Sequence, residues 1–238
     1  MKRCIVCRSE DVLRGMDYCW CVRCGTVTTD YQFDAKIYDQ AYAQHYADLS
    51  GTPIERQLNA SRLAIFHRWV KTGGRLVDFG CSVGDFLALA RGHYQCTGLD
   101  CNTYALSIAL KKLNGAVHLD SYLDHHRGFD GATFFDVLEH LPDPTGTLIE
   151  VKSRLNSQGI IVVIFPNISA VPFGDHDALK VWKHFKPREH LCLFSVKGLR
   201  LMAEKAGFEI MQISNEESTI RPGNLHDDIM TVVLRAYK

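Results

Sequence analysis

The stretch Val77-Asp-Phe-Gly-Cys-Ser-Val-Gly-Asp-Phe86 restricts the fold more than any other part of the chain. An apolar strand runs into a glycine-rich turn, and the turn runs into a helix. Gly80 permits a tight turn, and Gly84 lets the backbone approach a ligand at the helix N-terminus. The spelling Gly80-x-Ser82-x-Gly84 is also that of a hydrolase nucleophile elbow. Its context argues against that reading. Only a cysteine-rich module and two helical stretches precede Ser82, and no HGGG-like oxyanion-hole loop occurs. A dinucleotide fingerprint would want glycine at positions 80, 82 and 85, where Gly80, Ser82 and Asp85 stand. What remains is a looser cradle for a nucleotide-like cofactor, with Ser82 in place of a flexible glycine.

From this point strands and helices alternate. The pattern predicts strands at Arg75–Phe79, Gln95–Leu99, Ala116–Leu119, Gly131–Phe135, Ile160–Phe165, Phe208–Ser214 and Met230–Ala236. Helices are expected at Asp85–Arg91, Thr103–Leu113, Thr145–Leu155 and Val196–Ala206. Such alternation implies an α/β fold, a mostly parallel seven-stranded sheet with helices on both faces. Only a turn-rich loop separates the last two strands, so they should pair antiparallel. Asp100 and Asp120 end the second and third strands. There they could accept hydrogen bonds from ribose hydroxyls and from an adenine amino group, although an Asp in that position is often only a helix cap.

Five of the nine cysteines fall within the first 24 residues. Cys4-x-x-Cys7 and Cys21-x-x-Cys24 are two knuckles thirteen residues apart, the spacing of a tetrahedral four-thiolate Zn²⁺ site. A small zinc ribbon fits these residues, and five free thiols in a flexible tail is the alternative. Cys19 lies outside the symmetric pattern. The ribbon's basic residues are offset by acidic ones, which favours a structural role over nucleic-acid docking.

Between ribbon and sheet, Tyr38, Tyr42 and Tyr46 recur every four residues and place three rings on one helical face. They form either a packing stripe or an aromatic lid over a pocket. Ser50-Gly51-Thr52-Pro53 breaks the chain before a second helix at about Glu55–Lys71, which should bury Leu58, Ile65, Phe66, Trp69 and Val70. The division is thus 1–30 ribbon, 31–72 helical connector or lid, and 73–238 main domain. Lys+Arg and Asp+Glu balance at 27 each, so no global charge draws nucleic acid. No apolar run is long enough to span a membrane, and the first residues lack a signal-type apolar core. A cytoplasmic location is the expectation.

Taken together, these motifs resemble the S-adenosylmethionine-dependent methyltransferases of the Rossmann-like class. VDFGCSVGDFLALA is similar to their first motif, Gly98-Leu99-Asp100 to the ribose-binding motif, and FDGATFFDVLEHLPDP to the region around the fourth strand. LIEVKSRLNSQGIIVVIFPN and EHLCLFSVKGLRLMAEKAGFE resemble the C-terminal half, the latter as in ubiquinone and sugar methyltransferases. The resemblance implies that Gly80 and Gly84 face the methionine part of the cofactor, flanked by Asp78 and Phe79. It places Asp100 at the ribose, and Asp120 with Ser121 at the adenine. S-adenosylhomocysteine would be the product. Ser82 and Ser157-Gln158-Gly159 depart from the commoner glycine and Pro-Gly-Gly.

Methyl transfer from a sulfonium is an in-line displacement that asks mainly for positioning, plus a base where the acceptor holds its proton tightly. The resemblance puts that base at Glu139 and His140. The alternative is that Glu139 caps a loop and His140 packs beneath it. Asp136, Glu139 and His140 also have a spacing that could hold Mg²⁺ or Zn²⁺. The basic segment 175–190 would recognise the acceptor, a small molecule that could be anionic, as in a nucleotide-sugar, methylated on oxygen or carbon. A solvated surface helix is its plain alternative. An RNA methyltransferase docking through its ribbon, and a non-catalytic binding protein, are the competing classes.

Overall fold

The computed structural model describes residues 3–115, 127–223 and 227–237. The expected strand at 116–119 lies outside them, as do Asp120 and Ser121. Ten strands and seven helices are described: β1 Val12–Arg14, β2 Tyr18–Cys21, β3 Val27–Thr29, α1 Gln40–Leu49, α2 Pro53–His67, β4 Arg75–Phe79, α3 Asp85–Ala90, β5 Gln95–Leu99, α4 Thr103–Leu113, β6 Phe129–Phe135, α5 Pro144–Arg154, β7 Leu155–Pro166, α6 His176–Val181, β8 Cys192–Leu193, α7 Val196–Ala206, β9 Phe208–Ser214 and β10 Ile229–Ala236.

The main sheet has the order β5-β4-β6-β7-β10-β9. Its first four strands pair in parallel and the last two join antiparallel, as the loop between β9 and β10 implied. Strands β6 and β7 are apolar on both faces because helices cover both. On one face α2, α3 and α4 deliver Leu63, Phe66, Leu87, Leu106 and Leu113 onto Leu76, Val162 and Ile164. On the other, α5 and α7 deliver Leu148, Val151, Leu199 and Met202 onto Val77, Phe134, Ile161 and Val163. A buried side chain of this size contributes about 1.5–3 kcal/mol, so the two layers provide the main apolar stabilisation. Strand β7 begins at Leu155, five residues before the expected start, and Gln158 takes the left-handed φ of 62° that a glycine would otherwise supply.

The ribbon is not an appendage. Its strands β1, β2 and β3 are completed by β8, a piece of the segment that follows the main sheet's β7. Val27 pairs with Leu193 and Thr28 with Cys192. Tyr18, Trp20 and Val27 bury against Ile168, Leu179 and Leu193. Ser195 joins the two parts chemically: its hydroxyl donates to the Cys24 carbonyl and accepts from Gly198 N as the N-cap of α7. Among the described residues, no helix is long and apolar enough to cross a membrane.

A Ser195→Ala substitution removes both of these bonds and is expected to cost about 1–2 kcal/mol. Thermal denaturation should show Tm lower by about 2–8 °C with bound zinc retained. An unchanged Tm would mean that the seam carries no load.

Candidate functional site

Each knuckle is closed by the same turn, with Arg8 N donating to the Cys4 carbonyl and Gly25 N to the Cys21 carbonyl. Repetition of that turn aims all four thiols inward. Cys4 Sγ and Cys24 Sγ are 3.5 Å apart, and Cys7 Sγ and Cys21 Sγ 3.4 Å. All four lie within 4.8 Å of one another. Thiolates at about 2.3 Å from a tetrahedral Zn²⁺ stand a little under 4 Å apart, so this set fits the ion. Cys19, one residue from Tyr18 on β2, is not a member of the group. A structural ion here would clamp β1, β2 and β3 together and, through β8, the segment beyond it.

At the carboxyl end of β4 the chain turns through Gly80, Ser82 and Gly84, all with positive φ (68°, 48° and 80°). Ser82 therefore adopts the backbone conformation of the glycine it replaces, and its hydroxyl needs no chemical role to explain it. An added Cβ at Gly80 would overlap Val137 Cγ2, and one at Gly84 would press on Leu113 and Ala109. Asp100 closes the loop from β5: its carboxylate accepts Ser82 N at 2.8 Å and Asn102 N at 2.7 Å. Beneath the loop Asp78 is buried and accepts the Thr133 hydroxyl at 2.6 Å. Burial pushes its carboxyl up to about 7, against the pull of that hydrogen bond.

Helix α1 covers this loop. Ala43 packs on Val83 and Ala105, Asn102 Nδ2 donates to the Asp39 carbonyl at 3.0 Å, and Ser50 Oγ donates to Asp85 at 2.7 Å. The three tyrosines form a continuous ladder, Tyr38 against Tyr42 at 5.1 Å and Tyr42 against Tyr46 at 5.2 Å between ring centroids. Tyr38 itself precedes α1, following a short 3-10 turn at Ala35–Ile37. Its hydroxyl lies 2.9 Å from His140 Nδ1, so the ladder reaches from the cradle to the residues after β6.

Those residues form a 3-10 turn, Leu138–His140, buried throughout. Glu139 is 0% exposed, and neither of its oxygens has a hydrogen-bond partner on another of the described residues. Its Oε1 lies 4.0 Å from His140 Nε2. His190, on the approach to β8, stacks edge-on against His140 with centroids 4.8 Å apart and directs Nδ1 at the His184 carbonyl, 2.7 Å away. Burial, with Asp136 adding to it, pushes Glu139 well above the usual carboxylate range. Burial also pushes His140 down to about 3 and His190 to about 4.

Asp136 does not join them. It receives Arg221 through two bonds of 2.8 Å and Arg62 at 3.3 Å, while the buried Glu217 takes Arg62 Nε at 2.6 Å and Arg221 Nε at 2.8 Å. Burial alone would raise Asp136, but Arg221 overrides it and holds the carboxyl at about 2. The Asp136/Glu139/His140 grouping expected from spacing is replaced by Glu139, His140 and His190, whose ligand atoms lie within 4.8 Å of one another. By sequence His190 is one of several basic residues in its segment. Nothing in its local sequence set it apart from His176, which instead meets Tyr18 Oη at 2.5 Å.

The other cations of segment 175–190 are dispersed. Lys180 pairs with Asp177, Lys186 with Glu189, and Arg188 lies over the Tyr31 ring. A cleft of about 600 Å³ opens elsewhere, between Trp20, Arg23, Phe173 and Lys197. Among the described residues, no carboxylate or imidazole lines it.

Residues 51–213 match the family described as Methyltransferase domain. The chain belongs to this family, in the S-adenosylmethionine-dependent class that its motifs resemble. A ubiquinone biosynthesis O-methyltransferase of Escherichia coli O6:H1 is 31% identical over 195 residues, covering 68% of this chain and 78% of that protein. The protein of the same name from Pectobacterium atrosepticum is 34% identical over 149 residues, 56% of this chain. That match spans 60% of the relative's length. Among solved structures, N-methyltransferase NodS from Bradyrhizobium japonicum WM9, in complex with S-adenosylhomocysteine, is similar with a TM-score of 0.57 and 15% identity. The likeness covers 80% of this chain and 91% of that one, and it establishes the fold.

Purified protein should hold zinc at the four-thiolate site, with a content unchanged in Cys19→Ser and lowered by about one equivalent per chain in Cys21→Ser by elemental analysis. An unchanged zinc content in Cys21→Ser would dissolve the four-thiolate assignment. In the cradle, Gly80→Ala should abolish calorimetric binding of S-adenosylmethionine, because strain in the left-handed region adds to the overlap with Val137. Ser82→Ala should bind and turn over much as the parent does. Loss of turnover with binding intact would restore Ser82 as a nucleophile.

Proposed function

We propose that this chain transfers the methyl group of S-adenosylmethionine to a hydroxyl oxygen of a small molecule, with Glu139 and His140 activating the acceptor. The observation that carries the reading is the direct contact between cradle and acceptor face. Gly80 of the cradle lies against Val137, two residues before Glu139. A sulfonium methyl held over Gly80 and Gly84 would therefore point toward the Leu138–His140 turn. Two relatives named for O-methylation support oxygen as the receiving atom.

In this reading Asp100 accepts the ribose hydroxyls. A carboxylate has about four lone-pair sites, which leaves capacity beyond its two backbone bonds. Asp120 and Ser121 would complete the adenine side. The tyrosine ladder of residues 31–72 serves as the lid, excluding water from the line of attack. An acceptor hydroxyl set beside His140 gives its proton to the neutral imidazole. The oxygen attacks the methyl carbon in line, the carbon–sulfur bond breaks with its electron pair going to sulfur, and S-adenosylhomocysteine remains.

The test uses methyl-labelled S-adenosylmethionine with a panel of phenolic acceptors, some bearing a carboxylate or phosphate. His140→Ala is expected to lower kcat by about 10²–10⁴, the usual contribution of a positioned base, with calorimetric cofactor binding unchanged. Full turnover by His140→Ala, or transfer confined to amines, would overturn the assignment.

A further inference from the structure

Three buried residues at the acceptor face come from two distant parts of the chain. Glu139 and His140 lie on the turn after β6, whereas His190 is delivered by the strand that completes the ribbon. Backbone bonds fix its approach: His190 N donates to the Lys186 carbonyl at 2.7 Å, and Thr29 N of the ribbon donates to the Leu191 carbonyl at 3.0 Å.

We propose that Glu139, His140 and His190 form a binding site for one divalent first-row transition ion, separate from the four-cysteine site. This rests on the acceptor-activating role given to the same face, and it alters how that role is carried out.

Four features of the cluster point to an ion. The donor atoms already lie within 4.8 Å of one another, and Glu139 Oε1 is 4.0 Å from His140 Nε2. Metal–ligand bonds of about 2.0–2.2 Å put opposite donors at most about 4.4 Å apart, so only a small closing movement is needed. Both imidazoles also have their other nitrogen engaged, His190 Nδ1 on the His184 carbonyl and His140 Nδ1 on the Tyr38 hydroxyl. Partners of that kind orient metal-ligating histidines and fix their tautomer.

Charge is the third feature. Glu139 is completely buried with no partner on another described residue, a costly state for a carboxylate. The nearby guanidinium groups of Arg62 and Arg221 are taken by Asp136 and Glu217. A divalent ion would supply the positive charge that the carboxylate lacks. The last feature is the donor set. Two nitrogens and one oxygen suit Zn²⁺, Co²⁺ or Fe²⁺ better than Mg²⁺ or Ca²⁺, which take oxygen ligands. Three protein ligands also leave a position open, as in catalytic rather than structural zinc sites.

An acceptor hydroxyl entering that position would bind the ion through oxygen and lose its proton to water more readily than when free. The alkoxide or phenolate then attacks the methyl carbon, and the carbon–sulfur pair leaves with sulfur. His140 is a ligand in this scheme, and the proton goes to solvent instead of to its ring.

Cobalt(II) is the probe, titrated into protein whose ribbon is loaded with zinc. Binding is followed by calorimetry and by visible absorption, where nitrogen and oxygen ligands give weak bands without thiolate charge transfer. One Co²⁺ per chain with that spectrum is expected. Glu139→Gln and His190→Ala should each weaken binding by at least about tenfold, given that even outer-shell partners of metal ligands contribute about 10–100-fold. Zinc content and circular dichroism monitor the fold, and if His190→Ala does not fold, the isosteric Glu139→Gln carries the comparison alone. No Co²⁺ beyond the ribbon's zinc, a thiolate-type spectrum, or unchanged affinity in folded variants would overturn the site. Methyl transfer by protein that binds no Co²⁺ would reject the ion and keep His140 as base. Bound Co²⁺ without transfer to any hydroxyl would reject the reaction and keep the ion.

Discussion

The pairing of β3 with β8 is the constraint on which the buried cluster of Glu139, His140 and His190 depends. A two-residue strand contributes little stability by itself, and β8 has only Cys192 and Leu193. It is held because the ribbon offers it a ready edge, and the ribbon is shaped by the four-thiol cluster it surrounds. Folding free energy from a structural zinc is passed on wherever the folded module makes contacts. Here those contacts include the Cys24 carbonyl on Ser195 and the Thr29 amide on Leu191. The first sets the start of α7, which covers one face of the main sheet. The second sets the residue next to His190. The ribbon thus determines where one imidazole of that cluster stands.

The cofactor side follows from sheet topology. Strand β4 lies between β5 and β6, so the connections leaving it and leaving β6 diverge around a crevice at their carboxyl ends. Ligands of open α/β sheets bind at such switch points. Gly80, Asp100 and the Leu138–His140 turn all border this crevice, and α1 closes it from above. Contact of Gly80 with Val137 keeps the glycine loop and the turn after β6 at van der Waals distance. A side chain at position 80 would separate them, which explains the glycine better than the turn alone does.

Much of this was legible in the sequence, because local patterns govern local elements. The strands Arg75–Phe79, Gln95–Leu99 and Phe208–Ser214 and the helices Thr103–Leu113 and Val196–Ala206 lie where periodicity and caps put them. Asn102 and Ser195 are recognisable N-caps, and Ser82 adopts the φ of the glycine it replaces. What escaped was non-local. No periodicity marks β8 as a ribbon strand, since two residues show no pattern. His190 looked like one cation in a basic segment, and only its delivery beside His140 sets it apart. The Asp136/Glu139/His140 spacing misled for a related reason. Positive φ at Asp136 turns that residue toward α2 and the loop before β10, where arginines distant in sequence await it.

Three carboxylates near the end of β6, two of them buried and Asp136 partly exposed, have different fates, and the difference is informative. Asp136 and Glu217 share two guanidinium groups in a closed set of charge-assisted bonds. That set ties α2 and the segment after β9 to the end of β6, giving the crevice a rigid wall. Removing one partner from a buried network of this kind strands the others, so each member is held by the rest. Glu139 lies close enough for Asp136 to raise its pKa, yet it receives neither arginine. Were its purpose structural, an apolar residue of the same size would pack there at less cost. A carboxylate with no partner on another described residue, beside two oriented imidazoles, is better accounted for by something that arrives with positive charge, either a proton drawn from the acceptor or a metal ion that helps release it.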